Sequence, residues 1–236
     1  MFAPDKIVTI DGPAASGKTM IAVLLAQKFN YISLNSGLFY RIIAAFMLKN
    51  NIDVVNEILV NRILKNFSLS SMLKLEQHKF HPVYSEDNKY VQSIFDEKTG
   101  IAASQIALFP LVRNFVVDSQ RAAIIEGNLQ YDYGGVIADG RDMGTVVFPE
   151  AKHKFFLDAA INVRVERRLK QMKLRHDSHA YNAVMRQLII RDKQDRERKI
   201  SPLMPALDAA LIDTTYLSSK QILFNILDKI NQNTMK

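Results

Sequence analysis

Cysteine is absent from all 236 residues, which excludes disulfides and thiolate metal sites. Long apolar runs are absent as well, and none approaches the length that spans a bilayer. Met1–Lys6 has no basic segment leading into an apolar one. No secretory signal is therefore expected, no membrane partner, and a cytoplasmic location. No H-E-x-x-H occurs among His78, His81, His153, His176 and His179, nor any carboxylate-linked cluster, so these are expected to be structural or surface residues. Internal repeats and low-complexity tracts are lacking too.

What remains is the composition of an ordinary folded protein, with 48% hydrophobic and 23% charged residues. The length suits one α/β domain carrying an insertion, or a large and a small lobe. A net charge of +7 points to anionic partners, either nucleic acid or phosphorylated small molecules.

Strand and helix patterns alternate along the chain. Lys6–Ile10 is a β-branched run of the kind buried in parallel sheets, and Thr19–Phe29 has helical apolar spacing. Tyr31–Leu34 reads as a strand, and a helix follows to about Lys49, with Ser36 placed to cap it. Asp53 is placed to cap a third helix reaching about Phe67. Over Ser68–Phe95, two apolar groups with breaker and turn signals at Pro82 and Asp87-Asn88 among them suggest a small antiparallel sheet. Helices are expected at Glu97–Leu108 and Leu111–Ile125, with Pro110 suited to a first turn. Later strands are Gly135–Ala138, Lys154–Asp158 and Ala209–Asp213. The helices among and after them are Asn162–Leu174, Tyr181–Lys199 and Ser219–Asn231. This alternation predicts an α/β, doubly wound parallel sheet.

Gly12-Pro13-Ala14-Ala15-Ser16-Gly17-Lys18-Thr19 fits G-x-x-x-x-G-K-[ST] between a strand and a helix, the context this phosphate loop requires. Glycines let backbone N–H groups turn toward the phosphates, and the helix N-terminus adds a favourable dipole. Lys18 reaches the β/γ oxygens, and the Thr19 hydroxyl is suited to Mg²⁺. A GTPase needs a base-reading N-K-x-D, whereas Asn88-Lys89 runs on into Tyr90-Val91. A kinase is favoured over a switch protein.

Asp139-Gly140-Arg141-Asp142 ends a strand and is, by spacing alone, either a functional turn or a surface turn with a local ion pair. Arg191, Asp195 and Arg198 fall at i, i+4 and i+7 on one helix face, either a site or part of a solvated, salt-bridged helix whose neighbouring stripe carries Asp192 and Arg196, spaced to pair with each other. Acidic residues interrupt this stripe, and no RRM-like aromatic signature occurs, so nucleic acid is not expected as a partner.

Several stretches together resemble bacterial-type cytidylate kinase over nearly the whole chain. They are the phosphate loop, Ser36-Gly37-Leu38-Phe39-Tyr40-Arg41, Ala103-Ser104-Gln105 with Pro110-x-Val112-Arg113, and Asp139-Gly140-Arg141-Asp142-Met143-Gly144-Thr145-Val146-Val147-Phe148-Pro149. Arg191-x-x-x-Asp195-x-x-Arg198 with Ser201-Pro202-Leu203, and Asp208-Ala209 with Ile212-Asp213-Thr214-Thr215, complete the set.

The resemblance implies one nucleoside monophosphate kinase-like domain over 1–236. Its core would be 1–35, 135–175 and 205–236, with an inserted acceptor-binding lobe at about 36–134 and a helical lid at about 176–204. It implies transfer of the γ-phosphate of ATP to CMP or dCMP, in pyrimidine nucleotide metabolism, with Mg²⁺ as cofactor. A monomer is expected.

Carried over residue by residue, Gly12, Pro13, Ala14, Ala15, Ser16, Gly17, Lys18, Thr19 and Met20 would bind ATP. Ser36 and Arg41 would take the acceptor phosphate, and Ser104, Arg113 and Asp142 would read cytosine. Arg191 and Asp195 would hold the sugar, and Arg141 and Arg198 would clamp phosphates. The catalytic set would be Lys18, Arg41, Arg141 and Arg198. Thr19 would ligate Mg²⁺ through its hydroxyl and Asp139 through water.

The base assignment is chemically sensible. Cytosine offers an amino donor to a carboxylate or hydroxyl and acceptors to an arginine. Uracil would turn an acceptor toward Asp142 and leave a buried carboxylate unpaired, which such a site rejects.

The chain departs from the family pattern at several points. Asn35 stands where aspartate is common, Met20 where threonine is often seen, and Phe95-Asp96 where a basic residue is expected. Within the same enzyme class, another small acceptor is the alternative, either a different nucleoside monophosphate or a hydroxylated metabolite. Outside it, the alternative is a basic nucleic-acid-binding protein regulated by ATP.

Overall fold

The computed structural model describes residues 2–83, 88–174 and 177–234. In chain order the first elements are β1 (Ile7–Asp11), α1 (Lys18–Phe29), β2 (Ile32–Asn35), α2 (Ser36–Lys49) and α3 (Glu57–Leu64). Next come β3 (Leu73–Glu76), β4 (Lys79–Pro82), α4 (Asn88–Ile94), α5 (Glu97–Ile106), α6 (Pro110–Tyr131) and β5 (Val136–Gly140). The last are β6 (His153–Asp158), α7 (Ile161–Met172), α8 (Ser178–Glu197), β7 (Ala210–Asp213) and α9 (Ser219–Thr234). The protein is α/β, as its alternating pattern predicts. No single helix among the described residues is long and apolar enough to cross a membrane.

The chain divides into two compact units, Asn30–Val136, and Phe2–Phe29 with Ile137–Lys236. In the second, the strand order is β5-β1-β6-β7, and β6 runs parallel to both β1 and β7. All five residues of β1 are buried, which is why its pattern is a continuous β-branched run rather than an alternation. Helix α8 is held to α7 through Val165 and Leu169 on one side and Val184 and Leu188 on the other, with Ala14 of the phosphate loop in the same apolar cluster. Two apolar residues a helical turn apart on each element suffice to make this seam.

In the first unit, β3 and β4 form an antiparallel hairpin pairing Leu73 with Pro82 and Glu76 with Lys79. The expected small antiparallel sheet is present as this hairpin and is corrected in two respects. Strand β4 also pairs parallel with β2, Ser33 opposite Lys79, so the hairpin extends a mixed sheet. The segment after it folds as α4 rather than as strand; the suspected turn residue Asp87 lies outside the described residues, as do Tyr84 and His176.

Two capping expectations are also corrected. Asn35, not Ser36, caps α2, its Oδ1 accepting the N–H of Leu38 at 3.0 Å. Helix α3 is capped by Asn56, which accepts from Leu59 at 3.1 Å, while Asp53 accepts from Val55 two residues on. Asparagine and aspartate both stabilise turns and helix starts, so spacing alone did not choose between them.

Candidate active site

Strand β1 delivers the chain into the Gly12–Lys18 loop, whose backbone leaves the ordinary regions at Gly12 (φ 149°), Ala15 (φ 60°) and Gly17 (φ 95°). A side chain on Gly12 would collide with the carbonyl of Leu157 on β6, so glycine is required there. Lys18 opens α1 and is buried, its Nζ donating to the carbonyl of Pro13 at 2.8 Å across the loop. Burial, then the guanidinium groups of Arg141 and Arg191, push its ammonium well below the usual lysine range, against the pull of Asp139 and Asp195. The Thr19 hydroxyl donates to Asp139 Oδ2 at 2.6 Å, at the end of β5.

Arg141, one residue past β5, donates through Nε to Asp195 Oδ2 at 2.7 Å. Arg198, just past α8, lies 3.8 Å from Asp195 Oδ1 and donates to Ser201 O at 2.5 Å. Burial alone would raise the Asp195 carboxyl, yet Arg141, Arg191 and Arg198 outweigh it and hold the group below the ordinary carboxylate range. Lys18, Thr19, Asp139, Arg141, Arg191, Asp195 and Arg198 thus belong to one electrostatic cluster in the second unit. Asp142 is buried at its flank and starts a π-helical turn, Met143–Val147, in which Val147 and Phe148 donate five residues back to Asp142 and Met143 at 3.2 and 2.7 Å. Such turns recur at functional sites.

The alternative in which Asp192 pairs with Arg196 does not hold. Asp192 accepts from Arg164 Nη1 at 2.6 Å, and Arg196 lies 3.7 Å from Asp158. Asp192 and Asp195 are both buried, so this helix face is not a solvated one.

The first unit carries the other expected residues. Ser36 is buried, its Oγ accepting from Gln120 Nε2 at 3.0 Å. Arg41 donates to the carbonyls of Ile94 at 2.8 Å and Asp96 at 3.1 Å. It lies so close to Gly100 that a Cβ there would sit 2.6 Å from its Nη2. Ser104 donates to Gly100 O at 3.1 Å, one turn back on α5. Arg113, buried in the first turn of α6, donates to Ala107 O at 3.2 Å and lies over the Tyr40 ring at 5.9 Å. Arg41 and Ser104 therefore meet around Gly100, and Arg113 reaches the same helix, α2, from α6.

Sequence reasoning missed several residues. Asp11 is buried and accepts from the N–H groups of Met143 and Gly144. Arg164 donates to the carbonyls of Ala159 at 3.0 Å and Ala14 at 3.3 Å, and Arg167 to Ser16 O at 3.2 Å and Thr214 O at 2.7 Å, so that both brace the phosphate loop from behind. Gln120 holds Ser36. A carboxylate ending a β-branched strand with the pattern of a buried one was a usable signal for Asp11; Arg164 was hidden in a helix that reads as merely basic.

The sequence model of the cytidylate kinase family, described as "Cytidylate kinase", matches residues 8–232. This chain belongs to that family. A cytidylate kinase of Stutzerimonas stutzeri (strain A1501) is 35% identical over 230 residues, 98% of this chain and 97% of the relative. Cytidylate kinases of Pseudomonas syringae pv. tomato and Aeromonas hydrophila subsp. hydrophila are each 37% identical. They cover 95% and 94% of this chain, and 94% and 92% of their own lengths. A solved Thermus thermophilus structure aligns over 98% of both chains at 14% identity and a TM-score of 0.47, a likeness too loose to bear on the site. The departures from the cytidylate kinase pattern now have positions. Asn35 caps α2, Met20 is half exposed on α1 and accepts from Ser219 Oγ at 3.7 Å, and the Asp96 carbonyl accepts from Arg41.

Proposed function

We infer that this protein transfers the γ-phosphate of ATP to CMP or dCMP, giving ADP and CDP or dCDP. It is a nucleoside monophosphate kinase. The observation carrying this is the cluster in which the phosphate-loop lysine and the Thr19–Asp139 pair share one electrostatic environment with Arg141, Arg191 and Asp195, in a chain matched to the cytidylate kinase family over 8–232.

Donor and acceptor assignments follow the family pattern. Gly12–Met20 takes the phosphates of ATP. Ser36 and Arg41 take the acceptor phosphate, Ser104, Arg113 and Asp142 the cytosine, and Arg191 and Asp195 the sugar. Residues 36–134 would then be the acceptor lobe and 176–204 the lid on a core of 1–35, 135–175 and 205–236. An oxygen of the acceptor phosphate attacks the γ-phosphorus, and the bond from that phosphorus to the β–γ bridging oxygen breaks, its electron pair leaving with ADP. No proton need be removed from a phosphate nucleophile, so these residues position and neutralise. Lys18, Arg41, Arg141 and Arg198 supply the cations.

Mg²⁺ fits the residues present. The Thr19 hydroxyl, paired with Asp139 at 2.6 Å, is an oxygen of the type that ligates a hard cation, while Asp139 offers a carboxylate suited to the ion's water shell. No cluster of three or more His, Cys, Asp or Glu assembles for a metal among the described residues, in keeping with an ion that arrives with its nucleotide. When bound it would neutralise charge on the donor phosphates.

The test is ADP release with Mg-ATP and CMP, dCMP, UMP or AMP. CMP and dCMP are expected to be the best acceptors, and equal rates with AMP or UMP, or none with any, would overturn the inference.

A further inference from the structure

Asp11 closes β1 one residue before the phosphate loop and is 3% exposed. Both its oxygens are engaged: Oδ1 accepts the N–H of Met143 at 2.8 Å and Oδ2 that of Gly144 at 2.8 Å. Those N–H groups open the π-helical turn that directly follows Arg141 and Asp142. The approach is close, because a Cβ on Gly144 would lie 2.8 Å from Thr9 Oγ1 and 3.5 Å from Asp11 Oδ2. A carboxylate can accept at both oxygens, whereas an asparagine offers one acceptor and an NH₂ that repels the second N–H.

We propose that Asp11 is a positioning residue for acceptor recognition. By clamping the amides of Met143 and Gly144, it sets Asp142 in register with the loop that begins at Gly12. The inference rests on the assignment of Asp142 to the acceptor base. A carboxylate kept for stability alone would be poorly chosen here. Burial pushes it up to about 6 despite the two amide hydrogen bonds, with Asp142 adding to the rise and Lys18 opposing it.

The experiment compares Asp11→Asn, Asp142→Asn and the double variant for kcat and KM with CMP and with ATP, alongside thermal unfolding. Asp11→Asn is expected to fold and to melt no lower than the parent at neutral pH. It should lower kcat/KM for CMP about 10-fold or more, through the lost amide bond and a misplaced Asp142, with KM for ATP changed less than about 2-fold. In the Asp142→Asn background the same substitution should cost less than about 2-fold, because residues acting as one unit are not additive. Full additivity, or an equal loss toward ATP, would overturn the positioning role while leaving the acceptor assignment standing. An Asp142→Asn variant with unchanged kcat/KM for CMP would overturn the assignment and the inference with it. Failure of Asp11→Asn to fold would show that the carboxylate serves folding instead.

Discussion

At the scale of single residues, Lys18 carries the largest consequence. Burial, and after it the guanidinium groups around the amine, press its proton affinity down, and the phosphates of ATP, bound as proposed, would reverse that pressure. ATP binding is therefore expected to be accompanied by proton uptake at a pH below the ordinary lysine range, visible as a buffer-dependent heat in titration calorimetry, and absent in Lys18→Met. The same variant should lose phosphoryl transfer by orders of magnitude with an unchanged circular dichroism spectrum. Ala15 holds a left-handed backbone, φ 60°, inside the phosphate loop. An alanine there costs about 1–2 kcal/mol relative to its right-handed conformation, while glycine pays more unfolded-state entropy. Ala15→Gly is accordingly expected to stabilise the protein by about 0.5–1 kcal/mol, measured by urea unfolding.

At the scale of elements, α7 and α8 are joined by more than their apolar seam. The Arg164–Asp192 pair is 2.6 Å long with side chains 6% and 11% exposed, and the same guanidinium donates to the phosphate loop at Ala14. Removing one partner strands a buried charge, so Asp192→Ala is expected to cost about 3 kcal/mol, and a second substitution, Arg164→Met, to recover part of it. Denaturant midpoints for the parent, the single variant and the pair check this.

At the scale of the whole molecule, two buried carboxylates oppose one another in pH. Asp11, raised to about 6, contributes stability that is full below its unfolded value and is lost as pH rises through 6. Asp195, held below the usual range, contributes stability present above the unfolded value near 3.8 and lost as pH falls through its lower folded one. Relative to Asp11→Asn, the parent should gain on the order of 1 kcal/mol between pH 7.5 and pH 5, tending toward a limit of about 3 kcal/mol well below the unfolded value of 3.8. Equilibrium unfolding of both proteins across that range measures it, and parallel curves would show that Asp11 is not the titrating group.

The reaction was implied by the resemblance of several motifs together; the alternation of buried strands and helices and the phosphate loop were determined by sequence alone. Each depends on local chemistry: β-branched runs that suit a buried strand, glycines where the backbone turns, and a lysine and a hydroxyl at set spacing after them. Tertiary structure decided which of the neighbouring polar residues does what. Asn35 rather than Ser36 caps α2, Asp192 turns to Arg164 rather than Arg196, and Asp11 grips amides more than a hundred residues away. Nothing local distinguishes a caging carboxylate from a solvated one. That difference is set by burial and by partners brought in from distant elements, which the chain acquires only when its sheet and helices pack.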